Sequence, residues 1–84
     1  MAGTLKVSVI SPEATLFEGD APSVVAPAFD GEVGILDNHA PMVTVLGKGE
    51  LRIGDGAQRF SVEGGFMQVV DNVVRVVTEK AAKL

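Results

Sequence analysis

The stretch LKVSVI, residues 5–10, places an apolar side chain at every second position. Successive side chains of a β-strand point to opposite faces, so Leu5, Val7 and Val9 share one face. Residues 50–53, with the sequence ELRI, alternate in the same way. An amphipathic helix would repeat its apolar positions about every 3.6 residues instead. Both stretches therefore predict strands that are buried on one face.

Valine, glycine and proline extend this prediction to the whole chain. The 84 residues include fourteen valines, whose branched side chains suit a pleated sheet, and ten glycines and four prolines, which interrupt long helices. Such punctuation is typical of sandwiches and small barrels. We predict one domain over residues 1–84, an all-β, about ten-stranded β-sandwich. Turn signals lie at residues 11–12, 18–20, 29–31, 47–49, 54–56, 63–65 and 71–72.

Residues 79–84, with the sequence EKAAKL, are the one segment with a helix-forming composition. Six residues are too few to hold an isolated helix in water. The segment is therefore expected to be a frayed tail or the beginning of a helical region outside these residues.

Composition argues against several classes of partner. Eleven acidic and seven basic residues give a net charge of −4, which repels nucleic-acid phosphates and anionic lipids. The chain has no cysteine, tryptophan or tyrosine, and its four phenylalanines offer little surface for stacking on bases. It has no apolar run near the roughly 18 residues that a bilayer requires. We expect no nucleic-acid partner and no direct membrane insertion.

Residues that could carry chemistry are few. His39 is the only histidine, and a zinc site would need Asp37 and Glu32 to join it as ligands. No serine lies in a G-x-S-x-G motif, and the G-x-G at residues 54–56 has no third glycine, so a hairpin turn explains it better than a phosphate loop. We predict no catalytic residue, no cofactor and no metal, and a locally hydrogen-bonded or interfacial His39. The diglycine at residues 64–65 is expected to supply positive φ or a bulge.

An ordered set of motifs carries a resemblance to a known family. GEVGILDNHAPM at residues 31–42 is the most informative, with LKVSVISPE at 5–13 and LFEG at 16–19 before it. GGFMQV at 64–69 and NVVRVVT at 72–78 follow it. Together they resemble the amino-terminal domain of the epsilon subunit of F-type ATP synthases, whose mitochondrial counterpart is called delta. The chain departs from the usual pattern at Asp37 and Asn38, where many members have a Pro-Gly or Gly turn; Asn tolerates the left-handed conformation that such a turn requires.

The resemblance implies a non-catalytic rotor subunit of a proton-translocating rotary ATP synthase, in the central stalk. It implies contact with subunit gamma and with the loops of the c ring, on the cytoplasmic face of a bacterial membrane, and a monomer when isolated. The helical hairpin that follows the sandwich in most members, and carries regulation in some, is absent from these residues. An acidic patch formed by Asp30, Glu32 and Asp37 would orient docking on the c ring, and the aliphatic side chains at 35 and 36 would be buried against a partner. The interface is expected to contain Glu32, Gly34, Ile35, Leu36, Asp37, His39 and Met42.

Two other classes of function stay open on the residues alone. One is a free-standing β-sandwich module that binds a ligand or a protein along a sheet face, although the lack of tryptophan and tyrosine disfavours sugar stacking. The other is a small metal-dependent enzyme, which would depend on His39 and its acidic neighbours. Gel filtration with purified gamma would discriminate between these classes and the rotor subunit.

Overall fold

The protein forms two β-sheets that enclose a common core. A computed structural model describes residues 4–54 and 58–84, and it contains ten strands and no helix within those ranges. The prediction of an all-β, about ten-stranded sandwich is confirmed. Among the described residues no helix has the length and apolar character to cross a bilayer. The strands are β1 (Leu5–Ile10), β2 (Thr15–Ala21), β3 (Ser23–Ala28), β4 (Gly31–Leu36), β5 (Met42–Val45), β6 (Lys48–Ile53), β7 (Gln58–Glu63), β8 (Phe66–Val70), β9 (Val73–Val77) and β10 (Lys80–Lys83).

Each sheet has five strands. Sheet A has the order β2-β1-β9-β8-β5, and sheet B has the order β10-β7-β6-β3-β4. The β1 and β9 strands pair in parallel, with Lys6 opposite Val73, whereas the other neighbours are antiparallel. This pair joins the first strand to the last third of the chain. Strands β4 and β5 each lie at a sheet edge, and the stretch 31–42 contains β4 and the first residue of β5.

The core lies between the sheets and is filled by the inward residue of each alternating pair. Leu5, Val7 and Val9 are buried, as the alternation in residues 5–10 predicts. Phe60 is the largest fully buried side chain, and its ring meets that of Phe17 edge to face, with centroids 6.4 Å apart. Apolar burial of this kind contributes about 25 cal/mol per Å2 and is the main stabilising term. The other buried members of the core are Ala21, Val24, Ala26, Ile35, Leu46, Leu51, Ile53, Val62, Met67, Val69, Val74 and Val76.

Left-handed backbone conformations occur at the turns that the sequence marks. Asp71 and Asn72, between β8 and β9, have φ of 50° and 62°, which is a type I′ hairpin turn. Gly64 and Gly65 have φ of 75° and 103°, so the positive φ predicted for the diglycine is confirmed. The predicted turn at 54–56 begins with Gly54 at φ 63°, and residues 55–56 lie outside the described residues.

The chain passes from sheet A to sheet B between β9 and β10, and two residues, Gly65 and Thr78, make this crossing possible. A Cβ atom on Gly65 would meet the Val77 carbonyl oxygen and would lie 2.6 Å from Thr78 Cα, so only glycine fits there. Thr78 is buried, and its Oγ1 lies 3.0 Å from the Gly64 carbonyl oxygen and 2.9 Å from that of Lys80. The hydroxyl therefore has its one proton within reach of carbonyl acceptors at the point where the strand changes sheets, and its buried oxygen is not left unpaired.

The prediction of a frayed tail is wrong for residues 80–83. These residues form β10, which pairs antiparallel with β7 from Lys80 opposite Glu63 to Lys83 opposite Phe60. The Leu84 N–H also donates to the Arg59 carbonyl oxygen at 2.9 Å. Pairing with the edge of a formed sheet outweighs a helix propensity that six residues cannot express alone.

Candidate functional site

Strand β4 divides the predicted interface residues between its two faces. Glu32, Gly34 and Leu36 lie on the outer face and are exposed, with Leu36 at 64%. Ile35 points the other way and is 0% exposed. The expectation that a partner buries Ile35 is therefore corrected, because the core of this domain already buries it. Ile35 and Leu36 were expected to be buried against the same partner, but successive side chains of a strand point to opposite faces.

Glu32 belongs to a charge network on the outer face of sheet B. Arg52 Nη2 lies 3.3 Å from Glu32 Oε1, and Arg52 Nη1 lies 3.5 Å from Glu50 Oε1. Arg59 Nη1 lies 3.7 Å from Glu50 Oε2. These side chains are a third or more exposed, so each pair contributes about 1 kcal/mol or less. The Glu32 charge is thus already partnered within the chain.

The predicted acidic patch is corrected by the length of β4. Asp30 lies in the turn before this strand and Asp37 in the turn after it. Six residues at roughly 3.3 Å each separate the two turns by about 20 Å. Asp30, Glu32 and Asp37 therefore do not form one patch, because the extended strand between them holds Asp30 and Asp37 far apart.

The turn after β4 consists of residues 36–39. The His39 N–H donates to the Leu36 carbonyl oxygen at 3.2 Å, and Asn38 has φ of 65°, the left-handed conformation that the sequence allowed at this position. His39 Nδ1 lies 2.7 Å from the Ala40 carbonyl oxygen, and because a carbonyl oxygen can only accept, Nδ1 is the donor. Asp37 and His39 lie in a turn and not on one strand face. His39 is thus hydrogen-bonded locally.

The β8–β9 turn packs against this β4–β5 turn. The Asn38 N–H donates to Asn72 Oδ1 at 2.7 Å, and Asn72 Nδ2 donates to Asp37 Oδ1 at 3.0 Å. Between the two turns lies a shallow depression. Glu32 is not among the residues gathered here, and the described ranges 4–54 and 58–84 contain no group of three or more metal-ligating side chains. The depression is lined by Asn38, His39, Ala40, Pro41, Asp71 and Asn72.

Met42 begins the edge strand β5, and its half-buried side chain packs against the core. The next outward residues, Val43 and Val45, are 67% and 58% exposed. An edge strand with outward valines is an exposed template for association unless a partner covers it. On β5, therefore, Val43 and Val45 on the outer face of sheet A are available to a partner, whereas Met42 packs against the core.

Exposed apolar side chains lie towards both ends of the outer face of β5, β8 and β9, and the sequence motifs did not assign them as a site. Val45 is opposite Phe66, and Val70 is opposite Val73, so these side chains adjoin across the strands. The signal for them was the very apolar hairpin at residues 69–74, but that pattern does not say which valines face inward. Val69 and Val74 are buried, whereas Val70 and Val73 are 40% and 42% exposed. We call these five exposed residues the apolar band: Val43, Val45 and Phe66 form one group and Val70 and Val73 the other, with the outward Gln68 and Arg75 paired between them.

The other half of the outer face of sheet A is charged. Lys6 on β1 is opposite Asp20 on β2, and Ser8 is opposite Glu18 and beside Arg75. These residues line a shallow groove to which Val73 also contributes. One sheet face thus carries exposed apolar side chains on β5, β8 and β9 beside charged ones on β1, β2 and β9, and protein–protein interfaces likewise combine apolar with polar surface.

Comparison with known proteins identifies the family of this sandwich. Residues 4–84 match the family described as the beta-sandwich domain of the ATP synthase delta/epsilon chain. The chain is 49% identical over 83 residues to the ATP synthase epsilon chain of Leptospira borgpetersenii, which covers 96% of this chain and 65% of that relative. It is 41% identical over 85 residues to the epsilon chain of Desulforamulus reducens, covering 99% of this chain and 64% of the relative. The chain thus spans about two thirds of the length of these relatives.

Solved structures show the same fold. A chain in the cryo-EM structure of the Euglena gracilis mitochondrial ATP synthase, a complex of OSCP, F1 and c-ring, superposes with a TM-score of 0.88 at 22% identity, over 99% of this chain and 55% of that chain. A chain in the central stalk and c-ring of the Tetrahymena thermophila mitochondrial ATP synthase gives 0.81 at 18% identity, over 96% and 67%. The resemblance read from the sequence motifs is confirmed: this chain belongs to the ATP synthase delta/epsilon family, of which it forms the β-sandwich domain.

Proposed function

We propose that this chain is part of a non-catalytic central-stalk subunit of a proton-translocating rotary ATP synthase. In that role it links subunit gamma to the loops of the c ring and helps couple ion flow to ATP synthesis. The observation that carries the proposal is the match of residues 4–84, nearly the whole chain, to the delta/epsilon family. The chain would be peripheral to a bacterial membrane, on the cytoplasmic face, through its partners.

A torque-transmitting part must not deform, and the packing of this sandwich suits that demand. Sixteen buried residues from both sheets form one core cluster. Interiors packed at crystal-like density have low compressibility and transmit strain. The parallel β1–β9 pair and the Thr78 crossing tie both ends of the chain into the sheets. Force applied at one face is therefore carried to the other by the whole domain.

The apolar band is the surface that we assign to gamma. Its members stay 40–67% exposed in the isolated chain, although large apolar side chains favour burial. The charged half of the same face would then form a rim whose charges set orientation and association rate. A surface of this composition suits a protein partner better than a nucleic acid, because the chain carries a net charge of −4.

The turn at residues 36–39 lies beside one end of the apolar band, since Asn72 contacts it and Val70 and Val73 flank the Asp71–Asn72 turn. We place the junction of gamma and the c ring here. The exposed Leu36 would contribute apolar contact, and Asp37 and His39 polar contact. Glu32 and Gly34 extend this surface along the outer face of β4.

Gel filtration and titration with purified gamma test the proposal. Val43→Lys places a charge in the apolar band at a side chain that is 67% exposed, so the fold should tolerate it. Ser61→Lys introduces the same charge at an exposed position on the outer face of sheet B and is the matched control. We expect the unmodified chain and Ser61→Lys to co-elute with gamma, and Val43→Lys to bind at least about 30-fold more weakly, the equivalent of 2 kcal/mol at an interface centre.

Two outcomes would contradict the proposal at different levels. If Val43→Lys binds gamma as well as Ser61→Lys does, the apolar band is not the gamma surface. If the unmodified chain does not bind gamma at all, the rotor role itself fails for this chain. The alternative of a free-standing β-sandwich binding module would then take its place, and the apolar band would be the first surface to search for a ligand.

A further inference from the structure

We propose that Asn72 is a positioning residue that holds the turn at residues 36–39 in its docking conformation. Asn72 lies 34 residues from Asn38 in the chain, on the opposite sheet's hairpin, and no motif of the sequence connects the two. The effect of Asn72 on partner binding rests on the proposed function, whereas its effect on the conformation of the 36–39 turn rests only on the contacts between the two turns.

The conformation of the 36–39 turn depends on one peptide group. The His39 N–H bonds to the Leu36 carbonyl oxygen, and of the two central residues only Asn38 has positive φ, so the turn is type II. Compared with the commoner type I turn, the central peptide of a type II turn is rotated by roughly 150–170°. A type II turn favours glycine at its third position, and this chain has asparagine there. Asparagine is accepted there but is less favourable than glycine, so contacts from outside the turn add to its stability.

The Asn72 side chain supplies that support with two hydrogen bonds. Its Oδ1 accepts the N–H of the Asp37–Asn38 peptide at 2.7 Å, and its Nδ2 donates to Asp37 Oδ1 at 3.0 Å. The orientation of the amide is set by chemistry, because the reverse orientation would place NH2 against N–H and oxygen against a carboxylate. A type I turn would rotate the Asn38 N–H away from Asn72 Oδ1. Asn72 thus selects one of two peptide orientations.

A backbone hydrogen bond holds Asn72 in position relative to strand β1. Its carbonyl oxygen accepts the Lys6 N–H at 2.8 Å, which ties the β8–β9 turn to the beginning of β1. Glycine would suit its φ of 62° in a type I′ turn at least as well. The hairpin therefore does not require an asparagine side chain at this position. The β4–β5 turn is what that side chain contacts.

The selected orientation sets the surface that the turn presents. Leu36 and His39 are the first and last residues of the turn, and both side chains are at least partly exposed. Holding a binding loop in its bound conformation lowers the entropy that association must overcome. Without the Asn72 contacts, the side chains of Leu36 and His39 would still be present, but their orientation relative to each other would vary.

The test uses the whole chain with a glycine substitution at each position of the β8–β9 turn. Asn72→Gly keeps the positive φ and removes the contacts to the 36–39 turn. Asp71→Gly is the matched control, because Asp71 also has positive φ, at 50°, and is exposed. Nuclear magnetic resonance would measure hydrogen exchange of the Asn38 amide and the cross-peak from Asp37 Hα to the Asn38 amide proton, which is strong in a type II turn. Titration with purified gamma and c ring would measure affinity.

We expect Asn72→Gly to speed exchange of the Asn38 amide about tenfold or more, since the amide loses its only acceptor among the described contacts, and to weaken the cross-peak. Asp71→Gly should leave both unchanged. Partner affinity should fall about three- to tenfold for Asn72→Gly only, at a melting temperature equal to that of Asp71→Gly.

The outcomes separate the positioning role from the rotor role. Equal Asn38 exchange and equal cross-peaks in the two variants would overturn the positioning role. Faster exchange at unchanged partner affinity would overturn the assignment of this turn to the interface and would support the positioning of the turn by Asn72. If the unmodified chain binds neither partner, the proposed function fails, and the exchange comparison still decides what Asn72 does.

Discussion

Replacement of three glycines by alanine should separate backbone strain from steric conflict in this sandwich. Gly34 has ordinary φ, and a Cβ there would meet nothing within 4 Å. Gly31 has φ of 131° and equally open surroundings, so alanine would add strain alone. Gly65 has φ of 103°, and a Cβ there would conflict with the Val77 carbonyl group and Thr78 Cα. The three sites therefore differ in one factor at a time.

The expected losses follow from these surroundings. Gly34→Ala should change the free energy of unfolding by no more than about 0.5 kcal/mol. Gly31→Ala should lose about 1–3 kcal/mol, the usual cost of an unfavourable backbone conformation. Gly65→Ala should lose at least about 4 kcal/mol, because backbone atoms at the crossing must also move. An 84-residue domain has roughly 4–13 kcal/mol in total, so this variant should lose between about a third and all of its stability.

Urea denaturation followed by circular dichroism measures these differences, and thermal melting gives a second scale of about 4–8 °C per kcal/mol. The comparison of Gly65→Ala with Gly31→Ala is decisive. If both lose the same free energy, the β9–β10 crossing moves aside at no cost, and close approach is not the reason for glycine at position 65. If Gly34→Ala loses more than Gly31→Ala, positive φ is not the controlling factor either.

Three further predictions concern the core, the crossing and the outer charge network. Phe60→Ala should lose about 3–5 kcal/mol of unfolding free energy. Phe29 is 70% exposed, so Phe29→Ala should change it by no more than about 0.5 kcal/mol. Similar losses for the two variants in urea denaturation would contradict the placement of Phe60 in the core. Thr78→Val keeps the shape and removes a hydroxyl whose one proton has three carbonyl oxygens within reach, so it should lose about 1–3 kcal/mol in the same assay. An unchanged midpoint would show that this hydrogen bond adds nothing to stability. Glu32→Lys should cost about 1 kcal/mol or less, because Arg52 retains Glu50, while rotor attachment measured by titration should weaken most at low ionic strength; a salt-independent affinity would remove Glu32 from the interface.

Sequence motifs could predict which segment of the chain contains much of the candidate site, but not which of its side chains are exposed or what they contact. The stretch at residues 31–42 carries the family resemblance and contains the β4–β5 turn with Asn38 in the left-handed conformation that was allowed for it. Period-two alternation, read correctly along residues 31–36, would also have separated Ile35 from Leu36. It could not show that Glu32 is paired with Arg52, 20 residues away on another strand. That contact depends on which strands become neighbours in sheet B.

The sequence alone determined the class of fold and the part of its interior where apolar and polar residues alternate, because both depend on local patterns. Alternation defines the buried face at Leu5, Val7 and Val9, and glycine and asparagine define the left-handed turns at 64–65 and 71–72. The tertiary structure decided what depends on distant pairing. It made residues 80–83 a strand, turned Val70 and Val73 outward into the apolar band, and brought Asn72 to within 2.7 Å of the Asn38 nitrogen. Local patterns say which face of a strand is apolar, whereas the identity of each neighbour is set only when the two sheets close over one core.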